Sequence, residues 1–374
     1  MTGNILLISV IALIGKQIAP SSSMITLPVA LQFLGLMSAT IPASLIMGKL
    51  GRRLGFSLGN VIGIFGASLA TYALSLENFT LFCASTFLLG VGIGFGTLYR
   101  FAAIEVCDES ARHRAISISM AGGYLPAVLG PNLAVYSQKW SSDGLYISAF
   151  AVLIGLYVTA LILLQTIRFP PAHTQNSHLK TDSIKVIVRR PNFMIAVLAA
   201  MVAYAVMNIL MTATPLAMIG CGFDFTRAAG VIEWHVLGMF VPAFFTGSLI
   251  EKFGAKKMIL AGGVLFIACI AINMHGLSIW HFSTASYSGL GGNFMFIAAT
   301  SLFSQSYEAK NKSKAQAFNE FFVFSCVTVT ALLSGWLESI VGWQNLNLYV
   351  LPFVLLVMGI FFIKANNNSE SQVA

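Results

Sequence analysis

Ionisable side chains inside long apolar segments are the residues of this chain whose types point to chemistry. Burying such a group in apolar surroundings costs free energy unless a partner of opposite charge or a hydrogen-bonding group compensates for it. A group kept there is therefore a candidate for a functional role. Arg100 follows Gly92 and Gly96 at intervals of four, so the three residues share one helix face. A guanidinium there can hold an anionic group through two parallel hydrogen bonds. The alternatives are that Arg100 pairs with an acidic residue elsewhere or extends its head group towards water.

Three further ionisable groups are candidates for carrying a proton. Glu105 follows Arg100 by five residues, about 140° round a helix, so these two side chains do not pair with each other. Glu233 and His235 are two residues apart, about 200° round, and therefore face different sides. Burial favours the neutral form of a carboxylic acid, which enables it to carry a proton. The alternatives are a Glu233 solvated near the end of its segment and a His235 packed as a polar-ended core residue.

Uncharged polar side chains near the middle of other apolar segments suit hydrogen bonds to a solute. Asn208 and Thr212 are four residues apart on one helix face, and Asn293 follows Gly289, Gly291 and Gly292. With Arg100 and its neighbour Tyr99 they form the expected substrate-binding set. The same side chains equally suit hydrogen bonds between helices, which are worth about 0.6 kcal/mol each.

The elements that position these residues are membrane-spanning helices. The chain is 57% hydrophobic and 9% charged, whereas about a quarter of the residues of a soluble domain are charged. A helix crosses the hydrocarbon core with about 20 apolar residues, and the continuous runs exclude the alternating ten-residue strands of a membrane barrel. The sequence predicts twelve spans, at residues 4–19, 25–47, 58–76, 80–106, 115–136, 145–167, 193–217, 229–250, 258–275, 281–305, 316–337 and 345–364.

The basic residues report topology. Of the 21 Lys and Arg residues, Lys16, Lys139 and Arg227 lie in loops on one side and Arg100 lies within a span; the other seventeen are on the side of both termini. This bias predicts that both termini are cytoplasmic, in a multi-pass protein of the inner membrane. It also accounts for the net charge of +8 without any binding of nucleic acid.

Two short basic loops recur about 200 residues apart, which indicates an internal duplication. The segments 48–55 and 247–254 align at an offset of 199, and segments 112–115 and 312–315 at an offset of 200. A polar stretch with Pro170 and Pro171 separates the copies. We therefore expect an all-α integral membrane fold with two pseudo-symmetric six-helix bundles, residues 1–168 and 193–365, a cytoplasmic linker, 169–192, and a disordered cytoplasmic tail, 366–374.

Neither a cofactor nor a metal is expected. The five cysteines are scattered without a C-x-x-C pair, and the glycines between Gly90 and Gly96 are not followed by the Lys-Ser/Thr of a phosphate loop. They suit close helix packing instead. The six histidines are spread among loops and helix ends, so we do not expect an enzyme.

The Gly-x-Leu-x-x-Arg-x-Gly loop at 48–55, its second copy, the twelve spans and the long central connection resemble the major facilitator superfamily. The resemblance implies a transporter that binds solute between its two bundles and exposes the site to each side in turn. It also implies that the fourth helix, which carries Arg100, lines the cavity.

The resemblance further assigns gating roles to the loops. The family loop has an acidic residue three positions before its second glycine, where this chain has Arg52 in the first copy and Glu251 in the second. The resemblance implies that Glu251 latches the closed cytoplasmic side near Arg112 and Arg114. Asn319 and Glu320 either cap the eleventh helix or belong to this gate. The full set of gating candidates is Gly48, Arg52, Arg53, Gly55, Gly247, Glu251, Lys252, Gly254, Arg112, Arg114, Asn319 and Glu320.

The expected function is secondary active transport of a small organic solute by a monomer. Arg100 favours an anionic metabolite, and Glu233, Glu105 and His235 favour proton coupling. The expected partners are the solute, protons and the lipid bilayer. The alternatives are an efflux antiporter for drugs or metabolites with the same fold, and a non-transporting membrane sensor or assembly protein.

Replacing Arg100 by Ala tests the substrate-binding assignment. We expect the variant to lose solute transport in reconstituted vesicles while it folds as the parent protein does, because the anion loses its partner. Folding is checked by gel filtration in detergent. Unchanged transport kinetics would remove Arg100 from the site.

Overall fold

The computed structural model describes residues 2–99, 124–140, 146–167, 169, 182–190, 192–308 and 311–370, and every regular element within them is helical. A single 3₁₀ turn covers Ser22–Met24. In chain order the α-helices are α1 Thr2–Ile18, α2 Leu27–Leu50, α3 Arg52–Ser75, α4 Phe79–Gly96, α5 Tyr124–Gln138, α6 Ile147–Thr166, α7 Ile184–Val188, α8 Phe193–Gly220, α9 Phe225–Phe240, α10 Ala243–Phe253, α11 Ala255–His275, α12 Ile279–Ser283, α13 Ala285–Ser304 and α14 Lys312–Glu370.

Each of the twelve predicted spans contains a described helix. Among the described residues, seven segments are individually long and apolar enough to cross a membrane, and the pair α9 and α10 makes an eighth if it is one bent span. The helix α14 contains the last two predicted spans. Its backbone turns between them at Gly342, where φ is 75°. It extends to Glu370 and so enters the segment expected as a tail.

Glycines hold α2 against α4, and α9 against α13, in the same way. A Cβ on Gly90 would overlap the carbonyl oxygen of Gln32, and one on Gly289 would overlap that of His235. One turn further along, Gly35 approaches the α4 backbone as Gly238 approaches that of α13. Each pair of helices is therefore in backbone contact, which only glycine permits.

A second pair of crossings repeats this correspondence. A Cβ on Gly92 would lie 2.9 Å from the Gly59 oxygen of α3, and one on Gly291 would lie 2.8 Å from the Gly262 oxygen of α11. Equivalent residues are 203 positions apart in the second and third spans of each half and 199 apart in the fourth. The same packing thus occurs in both halves of the chain, which explains the repeats in the sequence.

The glycine corners correct the alignment of the two signature loops. Gly51 ends α2 with φ 87°, and Gly254 ends α10 with φ 85°; a new helix begins at the next residue in both cases. The equivalent corners are therefore Gly51 and Gly254, 203 residues apart, and the expected offset of 199 for these loops is wrong by one helical turn. The positive φ of Gly51 and Gly254 decides which residues are equivalent, because this backbone conformation favours glycine. The basic residues nearby are not restricted to one backbone position in this way.

This correction changes which residue of the first copy is equivalent to Glu251. At an offset of 203 the counterpart of Glu251 is Gly48, and Arg52 corresponds to Ala255. Arg52 therefore does not occupy the position of the acidic residue. The two loops are still unequal, since only the second copy carries a carboxylate there.

The part of the linker from Asp182 to Arg190 packs on the connection between α13 and α14. Asp182 accepts a hydrogen bond from Asn311 Nδ2 at 2.8 Å, and Arg190 Nη2 lies 2.7 Å from Glu308 Oε1 and 3.3 Å from Asp182 Oδ2. The bond to Glu308 raises the pKa of Arg190. Ile187 of α7 is fully buried. This part of the linker is therefore attached to helices that follow it in the chain.

Adding one methyl group at a crossing tests this packing. Gly289→Ala places a Cβ against the His235 carbonyl oxygen, and we expect a loss of about 1–3 kcal/mol because the helices must separate. Gly155→Ala in α6 is the matched control, since no atom lies within 4 Å of its Cβ position. Unfolding in detergent, followed by tryptophan fluorescence, measures both. Equal stability of the two variants would contradict the close approach.

Candidate functional site

The two ends of the helical bundle are named here by residues that mark them. The Lys16 end carries the end of α1 and the start of α2, and the linker end carries α7 and the corners at Gly51 and Gly254. We refer to described residues up to 169 as the first half and those from 182 as the second half. A solute site between the halves depends on where they touch.

At the Lys16 end the halves are joined by hydrogen bonds. Thr26 Oγ1 donates to the Leu332 carbonyl oxygen at 2.9 Å and accepts from the Gly335 backbone N–H at 3.2 Å. Lys16 Nζ lies 3.5 Å from the Leu216 carbonyl oxygen, at the end of α8, and also interacts electrostatically with Glu338 of α14. The Thr26 hydroxyl group thus makes hydrogen bonds to two backbone groups of α14, one carbonyl oxygen and one N–H.

Glu233 takes part in this closure. Asn132 Nδ2 of α5 donates to Glu233 Oε2 of α9 at 2.9 Å and to the Val128 carbonyl oxygen at 2.8 Å. Near the start of α9 the rings of Tyr146 and Phe225 meet with centroids 5.0 Å apart. The half-buried carboxylate therefore spans the interface between the halves.

The joined region ends near the middle of the bundle. Among the described residues, the innermost inter-half hydrogen bond links Ser325 Oγ to Met37 Sδ at 3.6 Å. Met37 lies about 15 Å along α2 from its start. At the linker end, the hydrogen bonds that described residues make with one another stay within one half. Examples are Gln165 to Ser57, Arg53 to the Ile167 carbonyl oxygen and Arg190 to Glu308.

An aromatic and amide cluster lies next to this innermost contact. Tyr204 of α8 packs edge-on against Phe296 of α13, at 5.3 Å, and Phe324 of α14, at 6.1 Å between ring centroids. One turn along α8, Asn208 Nδ2 donates to Thr330 Oγ1 and to the Val327 carbonyl oxygen, both at 3.3 Å. We name these residues the Tyr204 cluster: Tyr204, Asn208, Phe296, Phe324 and Thr330.

Thr212 lies one further turn along the same face of α8 and is buried. Asn208 and Thr212 therefore lie on one face of α8, as their spacing predicts. The Asn208 amide is engaged with α14, which is the inter-helix alternative considered from the sequence. Tyr204, four residues before Asn208, was missed; the same spacing of four could have identified it.

Asn293 holds a bend in the eighth span. The helices α9 and α10 meet at an angle of 42° around Pro242. Asn293 Nδ2 donates to the Met239 carbonyl oxygen at 2.6 Å, and its Oδ1 accepts from Thr246 Oγ1 at 2.7 Å. The Asn293 amide thus supplies a donor to one backbone carbonyl oxygen at the bend and ties the bend to Thr246.

His235 faces away from the interface that Glu233 occupies. Its side chain is 1% exposed and lies against Met211, Thr214 and Ala285. Nδ1 is 2.8 Å from the Ala285 carbonyl oxygen and 3.0 Å from Ser288 Oγ. The expectation that Glu233 and His235 face different sides agrees with these contacts.

Contacts between described residues place Arg53, Arg52 and Lys252 against residues of their own half. Arg53 donates to the Ile167 carbonyl oxygen at the end of α6, where a cation is favourable. Arg52 Nη1 lies 3.6 Å from Met47 Sδ. Glu251 and Lys252 are exposed, and Lys252 lies 5.3 Å from the Phe253 ring centroid.

Some of the remaining gating and cavity candidates are described by the structure, and the others lie outside the described residues. Asn319 is buried and Glu320 is half-buried in α14. Tyr99 stacks on Phe56 of α3 at 4.1 Å and accepts from Asn60 Nδ2 at 3.2 Å, so it contacts its own half. Four candidates lie outside the described residues: Arg100, Glu105, Arg112 and Arg114.

A double-mutant cycle measures the support at the bend. We expect Asn293→Ala and Thr246→Val each to destabilise the protein, with a coupling of about 0.6 kcal/mol, as is usual for hydrogen bonds within membranes. Reversible unfolding in mixed micelles gives the free energies. Additive effects would show that the hydrogen bond between these two side chains contributes nothing.

Comparison with known proteins identifies the family. The model of the Major Facilitator Superfamily matches residues 1–234 and 234–373. The riboflavin transporter RfnT of Brucella anthropi is 34% identical over 356 residues, 94% of this chain and 89% of that protein. The uncharacterized MFS-type transporter YddS of Bacillus subtilis is 24% identical, over 96% of this chain and 86% of that protein.

Solved structures show the same fold. The nucleoside transporter NupG superposes with a TM-score of 0.72 at 15% identity, over 97% of this chain and 96% of that one. The E. coli fucose:proton symporter FucP gives 0.59 at 17% identity, over 96% of each chain. These are membrane transporters rather than enzymes, and their fold has the twelve helices predicted here. The chain therefore belongs to the Major Facilitator Superfamily.

Proposed function

We propose that this transporter moves a small organic solute between its two halves by alternating access. The observation that carries the proposal is the uneven distribution of inter-half hydrogen bonds. Thr26, Lys16 and Asn132 join the halves at the Lys16 end, while at the linker end the hydrogen bonds that described residues make with one another stay within one half. Such a state exposes an interior site to one side only, as one step of the cycle requires.

We propose further that the solute is a flavin or a similar planar heteroaromatic compound. The resemblance to a riboflavin transporter, over 94% of the chain, supports this class. The Tyr204 cluster suits it, because aromatic rings pack against a planar ring system and amide and hydroxyl groups bind its polar edge. Arg100 adds a cation, should the transported form be anionic.

The orientation follows from the basic residues. We propose that the linker end and both termini are cytoplasmic and that the protein lies in the inner membrane as a monomer. The state described here then opens to the cytoplasm, and the exposed Glu251 is a latch that engages when this end closes. Proton coupling uses the ionisable candidates Glu233, Glu105 and His235.

A disulfide across the Lys16 end tests alternating access. A Cβ on Gly335 would lie 2.6 Å from Thr26 Cγ2 and 3.1 Å from Oγ1, so the two Cβ positions fall within about 3.5–4.5 Å, as a disulfide needs. In a background without native cysteines, Thr26→Cys with Gly335→Cys should lose riboflavin transport in proteoliposomes on oxidation and regain it on reduction.

The matched control lies within the second half. A Cβ on Gly292 of α13 would lie 3.4 Å from Met207 Cβ of α8, so Gly292→Cys with Met207→Cys should cross-link without loss of transport. Transport by a fully cross-linked Thr26→Cys, Gly335→Cys protein would contradict alternating access at this interface. If the parent protein moves other solutes but not riboflavin, the flavin assignment fails and the cross-link test is repeated with the transported solute.

A further inference from the structure

A buried histidine at the closed end has an unused ring nitrogen. Among the described residues, His235 Nε2 is one of four buried side-chain atoms that lack a hydrogen-bond partner; the others are Gln32 Oε1, Asn319 Oδ1 and Trp343 Nε1. An unpaired polar atom in apolar surroundings costs about 1–3 kcal/mol. Such a cost calls for an explanation in the function of the site.

The contacts of the other nitrogen fix the tautomer. His235 Nδ1 lies 2.8 Å from the Ala285 carbonyl oxygen, which can only accept, so Nδ1 carries the hydrogen. Ser288 Oγ donates to the same carbonyl oxygen at 2.8 Å. In the neutral ring Nε2 is then a bare acceptor with an available lone pair.

Among the described residues, those around the ring provide no charge to balance an imidazolium. The cavity is lined by Met211 and Thr214 of α8, Val231 and Ile232 of α9, and Ala285 of α13. Glu233, on the same helix, instead meets Asn132 of α5. From α11, the Cys269 thiol reaches the Ser288 backbone, and His281 of α12 is engaged with Ser278 Oγ.

The cavity borders the interface between the halves. Met211, Ile232 and Val236 form one apolar cluster with Ile5 of α1 and Ala127 of α5. Two of these second-half residues, Met211 and Ile232, also line the cavity around His235. Separation of the halves at the Lys16 end takes Ile5 and Ala127 away from Met211 and Ile232, so these two side chains of the cavity wall lose their packing partners and can move to admit water from that side to Nε2.

The other half shows what is particular to His235. Its equivalent at an offset of 203 is Gln32, which is 1% exposed, lies against Gly90 as His235 lies against Gly289, and also has an unpartnered acceptor oxygen. Gln32 Nε2 donates to Asn4 Oδ1 at 2.7 Å. Both halves thus keep a polar side chain at this crossing, and of these two side chains only an imidazole, once it is exposed to water, binds a proton near neutral pH.

We propose that His235 Nε2 binds a proton while the Lys16 end is open and that closure of this end requires the neutral ring. A hydronium ion transfers its proton to the Nε2 lone pair and leaves water. Closure over the imidazolium would bury a cation that none of these contacts neutralises, which is strongly unfavourable. Acid therefore favours the open state of this end. The proposal deepens the proposed transport cycle and rests on its alternating access.

Distance measurements without any solute test the proposal. Trp140 and Trp280, 76% and 80% exposed at the Lys16 end of the two halves, are replaced by spin-labelled cysteines in a background without native cysteines. In proteoliposomes we expect the ratio of open to closed protein to rise by up to about tenfold per unit decrease in pH, the linkage of one proton. His235→Gln should remove this step, and His281→Gln, the matched control, should retain it.

A second measurement avoids any change at His235. Nitrogen-15 NMR of histidine side chains is recorded on the oxidised Thr26→Cys, Gly335→Cys protein and on its reduced form. The His235 signal, assigned by its loss in His235→Gln, should stay neutral with hydrogen on Nδ1 in the cross-linked protein and should become protonated at acidic pH in the reduced one. Identical titration in both forms, or equal pH dependence of the two histidine variants, would overturn the proposal. Neither readout involves riboflavin, so failure of the flavin assignment leaves this test intact.

Discussion

Backbone contact between helices at glycine is the constraint on which the rest of this structure depends. In lipid, apolar side chains gain little by moving from the bilayer to a helix interface, so packing and a few polar contacts must hold the helices together. Gly90 and Gly289 bring α4 and α13 against the backbones of α2 and α9. The same contacts place Gln32 and His235 at equivalent crossings, and hence fix where polar groups are buried.

Duplication gives the two halves one architecture, and substitution makes them chemically different. The corners at Gly51 and Gly254 have the same backbone conformation, yet only the second is preceded by an acidic residue at the signature position. Likewise Gln32 and His235 share a position and differ in whether they titrate. The bend at Pro242, held by Asn293, adds a feature to the second half. Glu233 of this half accepts a hydrogen bond from Asn132 of the first half, whereas His235 is buried among residues of its own half.

The sequence predicted the spans well because their signal is local. About 20 apolar residues must cross the hydrocarbon core wherever the chain does so, and the described helices occupy each predicted span. The roles of polar residues were harder to predict, since the partner of a side chain is set by helices far away in the chain. Asn293 was a candidate both for solute binding and for hydrogen bonds between helices, and its contacts support a bend. Asn132 and Lys16, which join the halves, were not among the candidate site residues because a single amide or lysine near a span end is an ordinary feature.

The sequence by itself determined the solvent, the number of spans, the repeat and the family resemblance, because composition, periodicity and short motifs carry these properties. Only the tertiary structure decided the true register of the repeat, since positive φ at Gly51 and Gly254 is a property of the folded backbone. It also decided at which end of the bundle hydrogen bonds join the two halves, and towards which neighbouring helix each polar side chain points. Two residues apart on one helix, Glu233 meets the other half while His235 is buried within its own.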